Sequence, residues 1–234
     1  MNLLYITPEK WEKRIGWALF IPAMVVVPMA IPGGIIALGL YFLAMALATG
    51  FVFRRFLAES ARSVHYSPIP FLWKSVVVYI FAQVSVVLIN DLFFFFGIGS
   101  FGFGASGPVY CSAYDRAMAL LLEEKGPAMG VMIAILIPFV WEVLLRGLFF
   151  NTLYHKSPTL AFVATALIFT LLHSLPYLQG NLWDDVLLVL QYLPASFLLS
   201  WAYTSTESLF SPMLIHMAMK IGLVSFLFDY FAIS

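Results

Sequence analysis

Apolar runs of about the length that crosses a bilayer recur along the whole chain, and nothing else in the sequence limits its fold as strongly. A spanning helix needs roughly 20 apolar residues. Inside lipid each backbone polar group must be satisfied within the protein. About seven stretches meet the length rule: residues 15–31, 33–53, 71–96, 128–154, 158–175, 185–203 and 209–231. The expected fold is an all-α polytopic membrane protein, a bundle of about seven transmembrane helices forming one membrane-embedded domain over residues 1–234. Composition agrees. Charged residues make up 10% of the chain, against about 25% in soluble domains.

Twelve Lys and Arg balance twelve Asp and Glu, and no basic run is present to track a phosphate backbone, which argues against nucleic acid as a partner. The single cysteine, Cys111, excludes an intramolecular disulfide and a cysteine-based zinc cluster. Pro32-Gly33-Gly34 punctuates the first two runs and predicts a hairpin, with a single broken helix as the alternative. Residues 1–13 are polar-aromatic and no small-residue cleavage site follows the first apolar run, so that run reads as a retained span. Lys10, Lys13 and Arg14 precede it, Arg54, Arg55, Arg62 and Lys74 flank the loop after the second run, and His155 and Lys156 follow the fourth. The positive-inside rule then places the N-terminus in the cytoplasm, and the small size suits a bacterial plasma membrane.

Residues 97–127 form the longest connection, read as an extramembrane or re-entrant loop ending in a short surface helix over 113–125. Two overlapping glycine patterns there, at 97–102 and 102–107, match a dinucleotide fingerprint, but that mechanism needs a preceding strand and a following helix N-terminus. Here a span precedes and Pro108 follows. Gly104-Ala105-Ser106-Gly107 resembles the serine motif of rhomboid proteases but sits in a loop ended by proline. Glu123-Glu124 precedes Lys125-Gly126-Pro127 and reads as a solvated helix end.

The later spans hold a different set of groups. Ionisable residues are costly in lipid and mark functional sites by default. Glu142 and Arg146 are four apart and share a helix face. His173 lies on the next span, and His216 and Lys220 are four apart on the last. The midpoint between Glu142 and His173 falls at Ser157, next to Pro158, so antiparallel helices rising ~1.5 Å per residue hold them at about one depth. One carboxylate and two histidines suit hydrolysis: the carboxylate with one histidine activates water, and the other histidine donates to an oxyanion. A His₂Glu zinc site is the alternative. No His-Glu-x-x-His supports it, so the expected cofactor is none. A third class, a transporter path along Gln83, Asn90, Asp91 and Gln191, lacks the repeated halves usual in such proteins.

At these residues the chain resembles the CPBP family, membrane proteins that include CAAX-type prenyl-protein endopeptidases and bacteriocin-processing or self-immunity proteins of the Abi group. The family pattern is Glu-Glu-x-x-x-Arg, then Phe-x-x-x-His, then His-x-x-x-Asn/Asp. This chain reads Trp141-Glu142-x-x-x-Arg146, Phe169-x-x-x-His173 and His216-x-x-x-Lys220, with Ser211-Pro212 leading in. The resemblance implies a CAAX-protease-like core over 128–228 and glutamate-dependent intramembrane endopeptidase chemistry, in a family whose members have often been labelled metalloproteases. It implies central roles for His173 and His216 and pairs Glu142 with Arg146; the expected catalytic set is Glu142, His173 and His216, with Glu142 pressed into service and Arg146 and Phe169 supporting.

Two positions depart from the pattern. Trp141 replaces the first glutamate, which the family uses with the histidine matching His173 to activate water. Lys220 replaces the Asn or Asp that joins His216 at the oxyanion. Adjacent helical residues point about 100° apart, so Glu142 does not take over from Trp141 without rotation of the helix. The expected function is that of a CPBP-type protein acting on or binding a membrane-embedded or lipidated peptide or protein, with its proteolysis in doubt. The alternative is an inactive scaffold, chaperone or immunity protein holding a membrane-protein partner in the old cleft.

Overall fold

The computed structural model describes residues 8–26, 34–96, 101–104, 107–110, 113–175, 178 and 182–231. The chain forms helices α1 (Lys10–Ile21), α2 (Gly34–Val52), α3 (Arg54–Tyr66), α4 (Pro68–Phe95), α5 (Ala113–Lys125), α6 (Pro127–Tyr154), α7 (Pro158–Ser174), α8 (Leu182–Thr206) and α9 (Phe210–Phe231). The elements between α4 and α5 are two short antiparallel strands, β1 (Phe101–Gly104) and β2 (Gly107–Tyr110).

Local chemistry sets many of these boundaries. Glu9 and Glu12 form a reciprocal capping box at the start of α1, with Glu12 accepting from the Glu9 amide at 2.7 Å. Gly126 joins α5 to α6 at φ +71°, a conformation that a side chain opposes, and Pro127 then occupies the first turn of α6. Ser157 caps α7 by accepting from the Leu160 amide at 3.3 Å, with Pro158 in the first turn. The α6–α7 turn therefore falls where the sequence places it.

Among the described residues four helices are long and apolar enough to span a membrane: α4, α6, and α8 and α9 over Asp185–Thr206 and Phe210–Leu227. The pair Ala37–Val52 and Arg54–Tyr66 gives a fifth if taken as one span, although it bends by 76° at Phe53. The apolar α7 has 17 residues and falls short of the length test. The count of about seven is thus approximate. The expected first span, 15–31, begins as α1 and a π-helical turn, Pro22–Val26, and its end and the predicted Pro32-Gly33 turn lie outside the described residues. These helices make this an integral membrane protein.

Within the connection 97–127 the described residues 101–104 and 107–110 are strands, where the glycines led us to expect an irregular loop. Its strands pair Phe101 with Tyr110 and Gly104 with Gly107. Ser106 and Cys111 lie outside the described residues. The described residues among and after these glycines, Phe101–Gly104 and Gly107–Tyr110, are strands and not a helix N-terminus, so among the described residues the dinucleotide pattern has no phosphate cradle.

α6 is the axis of the bundle. α1, α2, α7, α8 and α9 all pack on its segments. It is not a regular α-helix: Met132–Leu136 and Val143–Phe150 are π-helical. Pro138 lacks an N–H, so the usual four-residue ladder is broken there, and the Ile137 amide reaches five residues back to Met132. The main core gathers Val140, Val143, Leu144, Leu145 and Leu148 of α6 with Phe53, Phe56, Phe169, Leu199 and Tyr203 from its neighbours.

Candidate active site

Trp141 and Glu142 sit between the two π-helical segments of α6, and both are buried. As neighbours around a helix they point in different directions. Glu142 turns towards α9, where its Oε1 accepts from His216 Nδ1 at 2.7 Å. The same oxygen accepts from Arg146 Nη1 at 3.0 Å. A carboxylate can only accept, so Nδ1 of His216 carries a proton and, in the neutral ring, Nε2 keeps a lone pair. Neither His216 Nε2 nor Glu142 Oε2 has a hydrogen-bond partner among the described residues.

Arg146 is fully buried and held from three sides. Beyond Glu142, its Nη2 donates to the Ser196 carbonyl at 3.3 Å and to Ser196 Oγ at 3.1 Å on α8. Its guanidinium lies 4.7 Å from the centroid of the Phe169 ring on α7. This cation–π contact supplies a desolvated charge with an electron-rich face. Arg146 thus ties α6 to α7 and α8 around the carboxylate, and Phe169 supports it directly.

Trp141 turns instead towards α7. Its ring stands edge-on to His173, with centroids 4.6 Å apart and planes at 79°. Tyr192 of α8 stacks on His173 at 4.7 Å, and Phe169 lies 4.1 Å away. His173 Nδ1 bonds the Phe169 carbonyl at 2.9 Å, and since a carbonyl only accepts, Nδ1 carries the proton here too. His173 is therefore held in an aromatic box with its Nε2 as the remaining basic nitrogen. The two histidine rings are 5.7 Å apart.

Glu142, Arg146, Phe169, His173, His216 and Trp141 therefore form one cluster. His216, which sequence counting left nearer the start of its own helix, reaches the level of Glu142. Lys220 joins the cluster from the next turn of α9, with Nζ 5.6 Å from the Tyr192 ring centroid. A cavity of about 360 Å³ opens beside the histidines, lined by both of them, Lys220, Tyr192 and the amides of Gln83, Asn90 and Gln191. Trp141 does not line it. Its ring packs on His173 from elsewhere and does not lie across both histidines.

Three of the four polar residues weighed as a transport path, Gln83, Asn90 and Gln191, belong to this cavity, and Gln191 Nε2 donates to Asn90 Oδ1 at 2.6 Å. Asp91 is exposed. Glu123 and Glu124 are exposed and lie outside the cluster. Ser196 and Tyr192 escaped sequence reasoning because no motif contains them. Their only signal is a spacing of four on an apolar helix. Among the described residues, no three of His, Cys, Asp and Glu converge to hold a metal. Glu142 and His216 bond each other, and His173 stands apart on a carbonyl, so the three do not form the His₂Glu ligand set.

The chemistry available is specific. A carboxylate bonded to Nδ1 of an imidazole orients the ring and stabilises the cation formed when Nε2 takes a proton. Where the family resemblance implies a glutamate acting with the α7 histidine, this chain places the indole of Trp141 against His173.

Comparison with known proteins matches residues 123–222 to the family model described as Type II CAAX prenyl endopeptidase Rce1-like. The matched segment contains Trp141, Glu142, Arg146, Phe169, His173, His216 and Lys220. No curated protein and no solved structure matches the chain.

Proposed function

With residues 123–222 belonging to the CPBP family of CAAX prenyl endopeptidase-like domains, we propose that the protein receives a membrane-associated peptide or protein in the cavity beside His173 and His216 without cleaving it as a family peptidase would. One observation carries this reading. The side chain that meets His173 from α6 is the buried indole of Trp141, and the adjacent carboxylate is turned to Arg146 and His216. A water held between a carboxylate and His173 then has no carboxylate. Loss of such a base costs about 10²–10⁴ in rate. The protein serves as a holder of its ligand, as a scaffold, chaperone or immunity factor does.

The test uses the purified protein in nanodiscs with fluorogenic lipidated peptides and bacteriocin-type leader peptides. The parent binds without turnover, and Trp141→Glu gains a cleavage that a further His173→Ala removes. Turnover by the parent that depends on His173 overturns the proposal.

A second reading rests on the 2.7 Å bond between Glu142 and His216. It leaves His216 Nε2 as a base beside the cavity, with the carboxylate in the orienting role. That reading expects slow turnover by the parent, lost in both Glu142→Gln and His216→Ala and retained at least in part when Trp141 is changed to Phe.

The proposal places the N-terminus in the cytoplasm of a bacterial plasma membrane. Glu9 pairs with Arg55, which sets the basic residues at the start of α1 and those of α3 on one side of the bundle. Positive charge collected on one side favours the cytoplasmic face.

A further inference from the structure

α3 does not continue the span that α2 begins. It leaves the line of Ala37–Val52 at 76° and lies against the turn between α8 and α9. Ser63 Oγ donates to the Thr206 carbonyl at 3.3 Å, Ser208 Oγ donates to the Ser60 carbonyl at 3.1 Å, and the Leu209 amide donates to Ser60 Oγ at 3.3 Å. Phe56 is buried on that same inner face. Successive helical residues turn by about 100°, so Arg54, Arg55, Ala58, Arg62 and His65 gather within about 100° of arc on the outer face. All five are exposed. Ala58 stands one turn from Arg54 and one turn from Arg62, a shallow position flanked by guanidiniums.

This end of the bundle stays positive once its carboxylates are counted. Residues 1–74 hold seven Lys and Arg against three Glu, and Glu207 of the α8–α9 turn makes four carboxylates, for a net charge of +3. Residues 1–7 and 27–33, outside the described residues, contain no charged side chain. Asp91 near the end of α4, Glu124 at the end of α5 and Asp185 at the start of α8 belong to the other end of the bundle. Arg55 pairs with Glu9, and Arg62 with Glu59. The two arginine side chains are nonetheless 63% and 65% exposed, and each pair engages Nη1 of a guanidinium that carries five donors. Exposed pairs of this kind are weak and yield to a better anion.

The start of α4 sets the level of the lipid beside this face. Tyr66, Ile69 and Trp73 are 80%, 80% and 68% exposed, and Leu72 is exposed with them. On a membrane protein such apolar surface meets acyl chains, and Tyr and Trp sit at the headgroups. Arg62 lies one turn before Tyr66, so the arginines of α3 stand where acyl chains give way to headgroups. We propose that the outer face of α3 binds the headgroup of an anionic phospholipid of the surrounding membrane. Its phosphate sits over Ala58 between Arg62 and the Arg54–Arg55 pair, and its acyl chains run along Tyr66, Ile69 and Trp73. The fork of arginine matches phosphate oxygens, and clustered basic residues on an amphipathic helix favour anionic lipid. The surface is separate from the cavity beside the histidines and does not depend on what that cavity holds.

The experiment titrates the full-length protein in detergent micelles with dioleoyl phosphatidylglycerol or dioleoyl phosphatidylcholine and counts bound lipid by native mass spectrometry. At about fivefold for each basic residue, phosphatidylglycerol binds the parent at least tenfold more tightly than phosphatidylcholine. The triple change Arg54→Gln, Arg55→Gln and Arg62→Gln removes that preference. Lys10→Gln, Lys13→Gln and Arg14→Gln together take the same charge from α1 and leave the preference in place. Ala58→Glu, a single change at an exposed position, lowers it at least fivefold and decides the matter if the triple α3 variant does not fold. Equal binding of the two lipids by the parent overturns the inference. So does an equal loss in the α1 and α3 variants, which assigns the preference to overall charge. Displacement of phosphatidylglycerol by millimolar sn-glycerol 3-phosphate marks a site for soluble phosphate and overturns the lipid assignment.

Discussion

α4 and α6 each contain 28 residues, with mean hydropathy 2.0 and 2.3 in their most apolar windows, yet 17% of the first window is buried in the protein and 67% of the second. Hydropathy records how readily a helix leaves water. It does not say whether the helix then meets lipid or protein, because lipid tails are as apolar as leucine. α4 buries one narrow stripe, Phe71, Ser75, Val78, Ala82 and Phe93, and turns Leu72, Ile80, Phe81 and Leu88 outward. α6 is buried on every side from Val140 to Leu148. The difference lies in what each helix offers its neighbours. α6 carries an ion pair that lipid would not tolerate and a glycine, Gly147, where an added Cβ would already touch Leu209 and Phe56 at 3.5 Å. Polarity and close approach, rather than apolar content, draw a membrane helix to the centre of its bundle.

The contrast predicts a ladder of effects on stability, read by unfolding in mixed micelles. At the top, Arg146→Ala removes the buried partner of Glu142 and releases Ser196 and Phe169, and a loss of about 3–5 kcal/mol is expected. An effect below 1 kcal/mol would show that the site is already wet and α6 less central than its burial indicates. Next, Gly16→Leu on α1 drives a side chain against α6, since a Cβ alone would stand 2.7 Å from Phe53 Cζ and 3.0 Å from Leu148 Cδ2. Overpacking of this kind costs about 1–3 kcal/mol. On α4, Ser75→Ala breaks the 2.6 Å hydroxyl contact with Ser211 on α9, worth about 0.6 kcal/mol in membrane proteins. Last, Leu88→Ala, on the face α4 turns to lipid, changes stability by no more than about 0.5 kcal/mol. A reversal of the last two would show that the outer face of α4 is covered by another protein.

Much of the site could be read from spacing. Residues four apart share a helix face whatever the bundle does, so the Glu142–Arg146 pair follows from the sequence. The turn at Ser157-Pro158 fixes where α6 reverses into α7, and with it the common depth of Trp141, Glu142 and His173. Other parts had no such signal. Ser196 and Tyr192 reach the site because α8 lies along α7, a long-range packing that leaves no local pattern. The strands at 101–110 were hidden because glycine-rich sequence reads as irregular until backbone pairing is seen.

The sequence by itself determined the membrane class, the common depth of Glu142 and His173, and the family motif with its two substitutions. Those depend on composition and on rise per residue, which are local quantities. The tertiary structure alone decided that Trp141 faces His173 while Glu142 faces His216. The rotation of a helix that is apolar all round is not set by its hydropathy. In α6 it is set by the π-helical turns on either side of the pair and by the helices packed against it, and these place an indole on one histidine and a carboxylate on the other.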